Sequence, residues 1–110
     1  PFWLAPEQVR LLPVTDEVLP YADQLLEQLT KAGVRATVDR SGERLGKLIR
    51  TGEQMKIPVL AVIGAKEAEQ NAVSLRSRRD GDLGVTAVAD LTSAAQQANN
   101  QRAAGLELNR

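Results

Sequence analysis

The sequence predicts a single α/β domain in three layers, with helices packed on both faces of a mixed sheet. Three observations carry that expectation. Apolar runs and stripes of helical period alternate along the chain in the order β-α-β-α-β-β-β-α, giving five strands and three helices. The first three strands are separated by helices, which calls for right-handed parallel crossovers. The last two strands follow with no helix before either of them, so the chain turns back and the sheet becomes mixed. At 110 residues there is enough chain for one core, burying roughly two thirds of the surface the unfolded form exposes.

Gln8 to Val14 (QVRLLPV) is a short apolar run with a proline near its exit and reads as the first strand. The helix after it carries Val18, Ala22, Leu25, Leu26, Leu29 and Ala32 at the 3.6 period, with Asp23, Gln24, Glu27, Gln28 and Lys31 on the other face. Pro20 suits its first turn and Gly33 its stop. Val34 to Asp39 alternates apolar and polar side chains as a second strand. A turn at Arg40-Ser41-Gly42 leads into a helix over Glu43 to Lys56, striped by Leu45, Leu48, Ile49 and Met55. Inside it, Gly46 and Gly52 each cost about 1 kcal/mol relative to alanine. Either they sit in ordinary helix packing or they permit a close approach of backbone or ligand.

Pro58 to Gly64 (PVLAVIG) does not alternate, as befits a central strand covered on both faces. Asn71 to Arg79 sets Val73 and Leu75 against Ser74, Arg76 and Arg78, the pattern of a strand with one wet, basic face. Asp80-Gly81-Asp82 makes a turn, Leu83 to Val88 a last strand, and Ala89 to Asn100 a last helix packed through Leu91, Ala94, Ala95 and Ala98. Residues 1–100 then form the domain. The tail 101–110, rich in Ala, Asn and Gln, has little to pack and is expected to fray.

Composition removes several chemistries. With no His and no Cys there is no imidazole base, no Ser-His-Asp or Cys-His arrangement, no disulfide and no zinc-thiolate site. No metal site or catalytic residue is expected. The longest apolar run, Ile57 to Ala65, is far short of the roughly 20 residues that span a bilayer, and the first residues lack the charged start of a signal peptide. A soluble, cytoplasmic piece cut from a longer chain is the expectation. Gly42-Glu43-Arg44-Leu45-Gly46-Lys47 has one residue too few between its glycines for a phosphate loop, and Leu48 stands where a hydroxyl is needed. The helix start could still hold one phosphate of a polymer with Arg40 and Arg44. Asp16 and Lys66 are reminiscent of a phospho-receiver domain, but only at the level of fold.

The net charge of zero conceals opposed blocks. Residues 35–56 carry six basic and three acidic side chains, and residues 72–79 are net +3, while the remaining segments are acidic. Both basic blocks are rich in Arg, whose planar fork pairs with phosphate and with the O6/N7 edge of guanine. A short single-stranded RNA could lie between the start of the second helix and the basic strand, with Glu67 at the rim accepting a base N–H. The bland alternative is a wet strand face for the arginines and a solvated loop for Glu67 and Glu69. Phe2, Trp3 and Tyr21 are the only rings, so arginine planes would do most of the stacking.

A run of motifs in order then carries a family resemblance. Trp3-Leu-Ala-Pro6 with Gln8-Val9, Val14-Thr-Asp16, Ala32-Gly-Val-Arg35, Asp39-Arg with Glu43-Arg-Leu-Gly46 and Ile49-Arg50, Lys56-Ile-Pro-Val, Val62-Ile-Gly-Ala-Lys-Glu-Ala-Glu69, and Leu75-Arg-Ser-Arg with Asp82-Leu-Gly84 all take part. Over residues 1–92 the chain resembles the C-terminal anticodon-binding domain of threonyl-tRNA synthetase, and the prolyl, histidyl and glycyl enzymes carry related domains.

The resemblance implies strand order 2-1-3-4-5 with strand 4 antiparallel. It also implies recognition of the threonine tRNA anticodon in support of ATP-dependent attachment of threonine, by a catalytic core that lies upstream and is absent here. ATP, Mg and Zn belong to that core and none to this chain; the parent enzyme is expected to be a homodimer, with no DNA or membrane partner. The Glu of the Gly-x-Lys-Glu motif and the first Arg of the Arg-x-Arg strand read the second and third anticodon bases, and those positions are Glu67 and Arg76. Arg78, Arg40, Gly42, Arg44 and Lys47 complete the expected anticodon contact set. Gly42 stands where the family commonly has Asn, and Lys47 is displaced by one position, about 100° around the helix. A protein-interaction or accessory domain of the same fold is the other reading.

Overall fold

The computed structural model describes residues 1–108; Asn109 and Arg110 lie outside the described residues. In chain order the elements are β1 (Val9–Pro13), α1 (Leu19–Lys31), β2 (Ala36–Val38), α2 (Leu45–Gln54), β3 (Val59–Ile63), α3 (Ala65–Glu69), β4 (Ala72–Ser77), β5 (Gly81–Ala87) and α4 (Val88–Gln101). Short 3-10 turns at Phe2–Leu4 and Asp16–Val18 precede β1 and α1. The five strands form one sheet in the order β2-β1-β3-β4-β5. β1 runs parallel to β2 and β3, and β4 runs antiparallel to both of its neighbours. This is the expected mixed sheet.

Strand alternation divides the core in two. Val9 and Leu11 of β1, Val59, Ala61 and Ile63 of β3, and Val73 and Leu75 of β4 face one way. Ala22, Leu25 and Leu29 of α1 cover them, together with Leu91, Ala94, Ala95 and Ala98 of α4. On the other side Leu12 and Leu60 meet Leu48 and Ile57, so α2 covers only the β1–β3 half. Gly52 is what lets α2 lie this close: a Cβ there would stand 2.5 Å from the Leu60 side chain. At Gly46 a Cβ would meet nothing within 4 Å.

Two expectations are corrected. The connection after β3 is a short helix, α3, so the described residues hold four α-helices and not three. Five residues are too few to leave a periodic stripe. Nor does the described part of the tail fray. Leu106 is buried in the main core with Ala103 and Leu108 packed beside it, and the Phe2 N–H donates to the Ala104 carbonyl at 2.8 Å. Arg102 takes the left-handed conformation that ends α4 and turns the chain back, its guanidinium 5.3 Å from the Trp3 ring.

Buried Gln8 ties this end together. Its side-chain amide donates to the Phe2 carbonyl at 2.9 Å and to Asn99, while its oxygen accepts the Arg35 N–H at 3.0 Å.

Candidate nucleic-acid interface

The C-terminal ends of β1, β2 and β3 share one rim of the sheet, the side on which open α/β sheets bind ligands. The loop from Asp39 to Arg44 and helix α3 both sit there, and β4 starts there at Ala72. Asp39 anchors the loop: one carboxylate oxygen accepts the Ser41 N–H at 2.9 Å and the other lies 3.7 Å from Arg10. Arg10 also pairs with Glu7 at 2.7 Å, and Glu7 accepts the Thr37 hydroxyl. Burial pushes the Glu7 carboxyl up, yet the hydrogen bonds from Arg10 and Thr37 and the Arg10 charge outweigh it, leaving the group below its usual range.

Gly42 has a φ of +74°, the left-handed region that glycine enters without cost and that Asn tolerates better than most residues. The backbone therefore accounts for Gly at a position where the resembled family has Asn. α2 opens at Leu45, two residues later than expected, with no side-chain cap and no acidic residue in its first turn. Arg44 is its exposed N-cap residue. Arg40 is ion-paired with Asp23 of α1, and Lys47 lies 3.4 Å from Glu43.

Glu67 sits on α3, half-buried, in a capping arrangement. Its carboxylate folds back so that one oxygen accepts the Gly64 N–H at 2.6 Å. A free donor of the helix start is satisfied and the acid is held in one orientation. Tyr21 lies close: its hydroxyl donates to the Ala72 carbonyl at 2.9 Å, and burial first, then the Glu67 charge, raises the phenol above its usual range.

Arg76 lies four residues along β4 from Ala72, about 13 Å at the usual strand rise. It pairs with Leu60 of β3 on the sheet face that α2 covers only in part. Val85, on the β5 side of that face opposite Ser74, is 55% exposed. Asp82 is the cross-strand partner of Arg76, yet its carboxylate accepts the Gly84 N–H at 2.8 Å. Among the described residues Arg44, Arg76 and Arg78 form no ion pair.

Arg78 is separated from the rest. It follows the far end of β4, its N–H donating to the Pro58 carbonyl at 2.8 Å, and it lines an open groove of about 840 Å³ with Leu4, Met55 and Lys56. Glu67, Arg76 and the Arg40–Arg44 loop thus occupy the rim and the open sheet face, and Arg78 the opposite end. The contacts of three residues escape sequence reasoning: Gly64 with Glu67, Tyr21 with Ala72 and Asp82 with Gly84. Gly64 alone leaves a signal, the four-residue capping spacing Gly64-Ala-Lys-Glu67.

Known proteins share this chain's sequence pattern and fold. Residues 8–98 match the family described as "Anticodon binding domain". The chain is 92% identical over 110 residues to a threonine–tRNA ligase of Synechococcus sp. (strain CC9605), covering all of this chain but 18% of the ligase. Among solved structures, the RNA-binding domain of threonyl-tRNA synthetase from Cryptosporidium parvum Iowa II superposes with a TM-score of 0.81 at 26% identity, over 88% of this chain and 24% of that one. Histidyl-tRNA synthetase from Nostoc sp. PCC 7120 follows with a TM-score of 0.78 at 28% identity, over 84% and 22%. The family match over residues 8–98, on a sheet of this order, places the chain in the family of anticodon-binding domains.

Proposed function

We propose that the domain docks on the anticodon loop of a threonine tRNA, Glu67 and Arg76 reading two of its bases. Arg76 carries the reading, as a guanidinium without an anionic partner among the described residues on a sheet face that no helix fully covers. Such a fork suits the two acceptors of a guanine edge. Glu67, fixed by Gly64, supplies an acceptor for a base N–H and repels misplaced phosphate. Arg44 and the uncapped start of α2 suit the RNA backbone, with Arg40, Gly42 and Lys47 shaping that loop and Arg78 lying farther out. The high identity to a threonine–tRNA ligase favours threonine over the histidyl, prolyl and glycyl alternatives.

In a full ligase the ATP-driven attachment of threonine, with its ATP, Mg and Zn, is the task of the remaining chain, acting as a cytoplasmic homodimer. No helix among the described residues is long and apolar enough to cross a membrane. The groove with exposed Leu4 and Met55 favours a second reading as a protein-docking module. Titration with a threonine anticodon stem-loop and with one whose central G is changed to A separates the two. Preference for the first loop, lost in Arg76→Ala at matched salt, is the expected result. Equal binding of both loops, or dimerisation insensitive to salt without RNA affinity, would overturn it.

A further inference from the structure

We infer that Asp82 is a specificity-determining residue of this interface, a fixed negative charge that keeps phosphate away from Arg76 so that the guanidinium is left for a base edge. The inference rests on the reading of Arg76 as a base-recognising group. In the β4–β5 ladder Arg76 and Asp82 are paired, and directly opposed side chains in an antiparallel pair have Cβ atoms about 5 Å apart. An Arg–Asp pair at that spacing normally closes into an ion pair, and here it does not. The Asp82 carboxylate turns back along its own strand and accepts the Gly84 N–H at 2.8 Å.

The local backbone holds that arrangement. A register shift between Leu75 and Arg76 leaves Leu83 out of the ladder, and Gly84 has a φ of +77°. The short Asp side chain fits a turn onto the amide two residues on, a bond that competes with any pull from Arg76. Asp82 is exposed, Arg76 is half-buried and the two are cross-strand neighbours, so a ligand on the guanidinium lies within range of the carboxylate's charge. A phosphate, carrying full negative charge, is repelled there. A guanine edge offers two neutral acceptors and is penalised far less. Arg76 would otherwise attract any phosphate backbone and contribute affinity without sequence information.

The test uses Asp82→Asn and Asp82→Glu in the whole chain. Asn keeps the side-chain oxygen that accepts the Gly84 N–H, so the turn survives and only the charge is lost. A thermal melt unchanged from wild type checks this. Binding is measured across a salt series to the threonine anticodon stem-loop, to the loop with central G changed to A, and to a scrambled single strand of equal length. Asp82→Asn is expected to bind the altered loop and the scrambled strand about three- to tenfold tighter, with discrimination reduced to match. Its log–log salt dependence should steepen by about 0.7, the slope of one added phosphate contact on a single strand. Asp82→Glu keeps the charge but is too long for the turn onto Gly84, so it is free to close on Arg76 and should weaken binding of the cognate loop. If the wild type discriminates and Asp82→Asn matches it in both discrimination and slope, the role of Asp82 alone is overturned. No discrimination by the wild type overturns the reading of Arg76 first, and this inference with it.

Discussion

The Glu67 carboxylate accepts the Gly64 N–H at 2.6 Å, and a Cβ on Gly64 would stand 2.9 Å from that same oxygen. The two residues form one device: the glycine supplies the donor and the room, and the acid caps α3 with one of its two oxygens. Glu67→Gln retains a capping oxygen but replaces the other with an amide donor. Stability should then change by less than about 0.5 kcal/mol, while preference for the cognate stem-loop falls roughly tenfold, about 1.4 kcal/mol. Gly64→Ala should reduce that preference while leaving the acid in place, and lower stability by roughly 1 kcal/mol through the disturbed helix start. Denaturant melts and stem-loop titrations of both variants read the two effects separately.

Glu7 links the N-terminal segment to β1 and β2 through Arg10 and Thr37, and its carboxyl titrates below the usual range. A lowered folded-state value means that the contribution is present in full above the unfolded glutamate value and disappears as pH falls through the folded one. Glu7→Gln should cost about 1–2 kcal/mol at pH 7, since both partners are largely shielded from solvent and one charge-assisted bond is lost. Between neutral and strongly acidic pH wild type and variant should converge, because the wild-type carboxyl is protonated too once pH has fallen through its lowered folded-state value. Urea midpoints at neutral and strongly acidic pH check the sign. A gap that persists in acid would contradict it.

Gly46 and Gly52 occupy the same helix and should respond oppositely to alanine. At Gly46 the added methyl meets nothing, so helix propensity alone acts and stability should rise by about 0.5–1 kcal/mol. At Gly52 the methyl enters the space of Leu60, which is 3% exposed and has little room to yield. Overpacking of roughly 1–3 kcal/mol then exceeds the propensity gain, and the melting temperature should fall. Thermal melts of the two variants decide it.

The elements with strong period are legible in the amino-acid sequence. The stripe of α1 and the unalternating run of β3 each announce their type because burial on one or both faces dictates the side chains. Strand order follows from the family motifs and not from period, since no pattern within one strand names its neighbour. α3 is not legible, being too short to show a stripe. Glu67 and Arg76 stand out through the same motifs. The roles of Gly64 and Asp82 do not, because each rests on a bond between a side chain and a backbone N–H that depends on local turn geometry. The packing of the tail is hidden for another reason: Leu106 joins the core that Phe2 enters from the opposite end of the chain, and the Phe2 N–H bonds the Ala104 carbonyl, a contact without local signature.

That long-range contact yields the last prediction. Leu106 is 7% exposed within the main core, and its carbonyl accepts from Arg79 at 3.3 Å while the neighbouring Ala104 carbonyl holds the Phe2 N–H. Leu106→Ala removes a buried side chain at a site near the chain end, where partial collapse of the cavity is easy. A loss of about 2–3 kcal/mol is expected, at the low end of such truncations. For a domain of this size that lowers Tm by on the order of 10 °C. Trp3, the single tryptophan, lies beneath Arg102 in the segment that leads to Leu106, so its fluorescence reports on the docking directly. In Leu106→Ala its emission should shift toward that of a solvated indole at temperatures where far-ultraviolet circular dichroism still shows the folded sheet. If both signals instead move together and at the wild-type temperature, residues 102–108 add nothing to the core and the domain proper ends with α4.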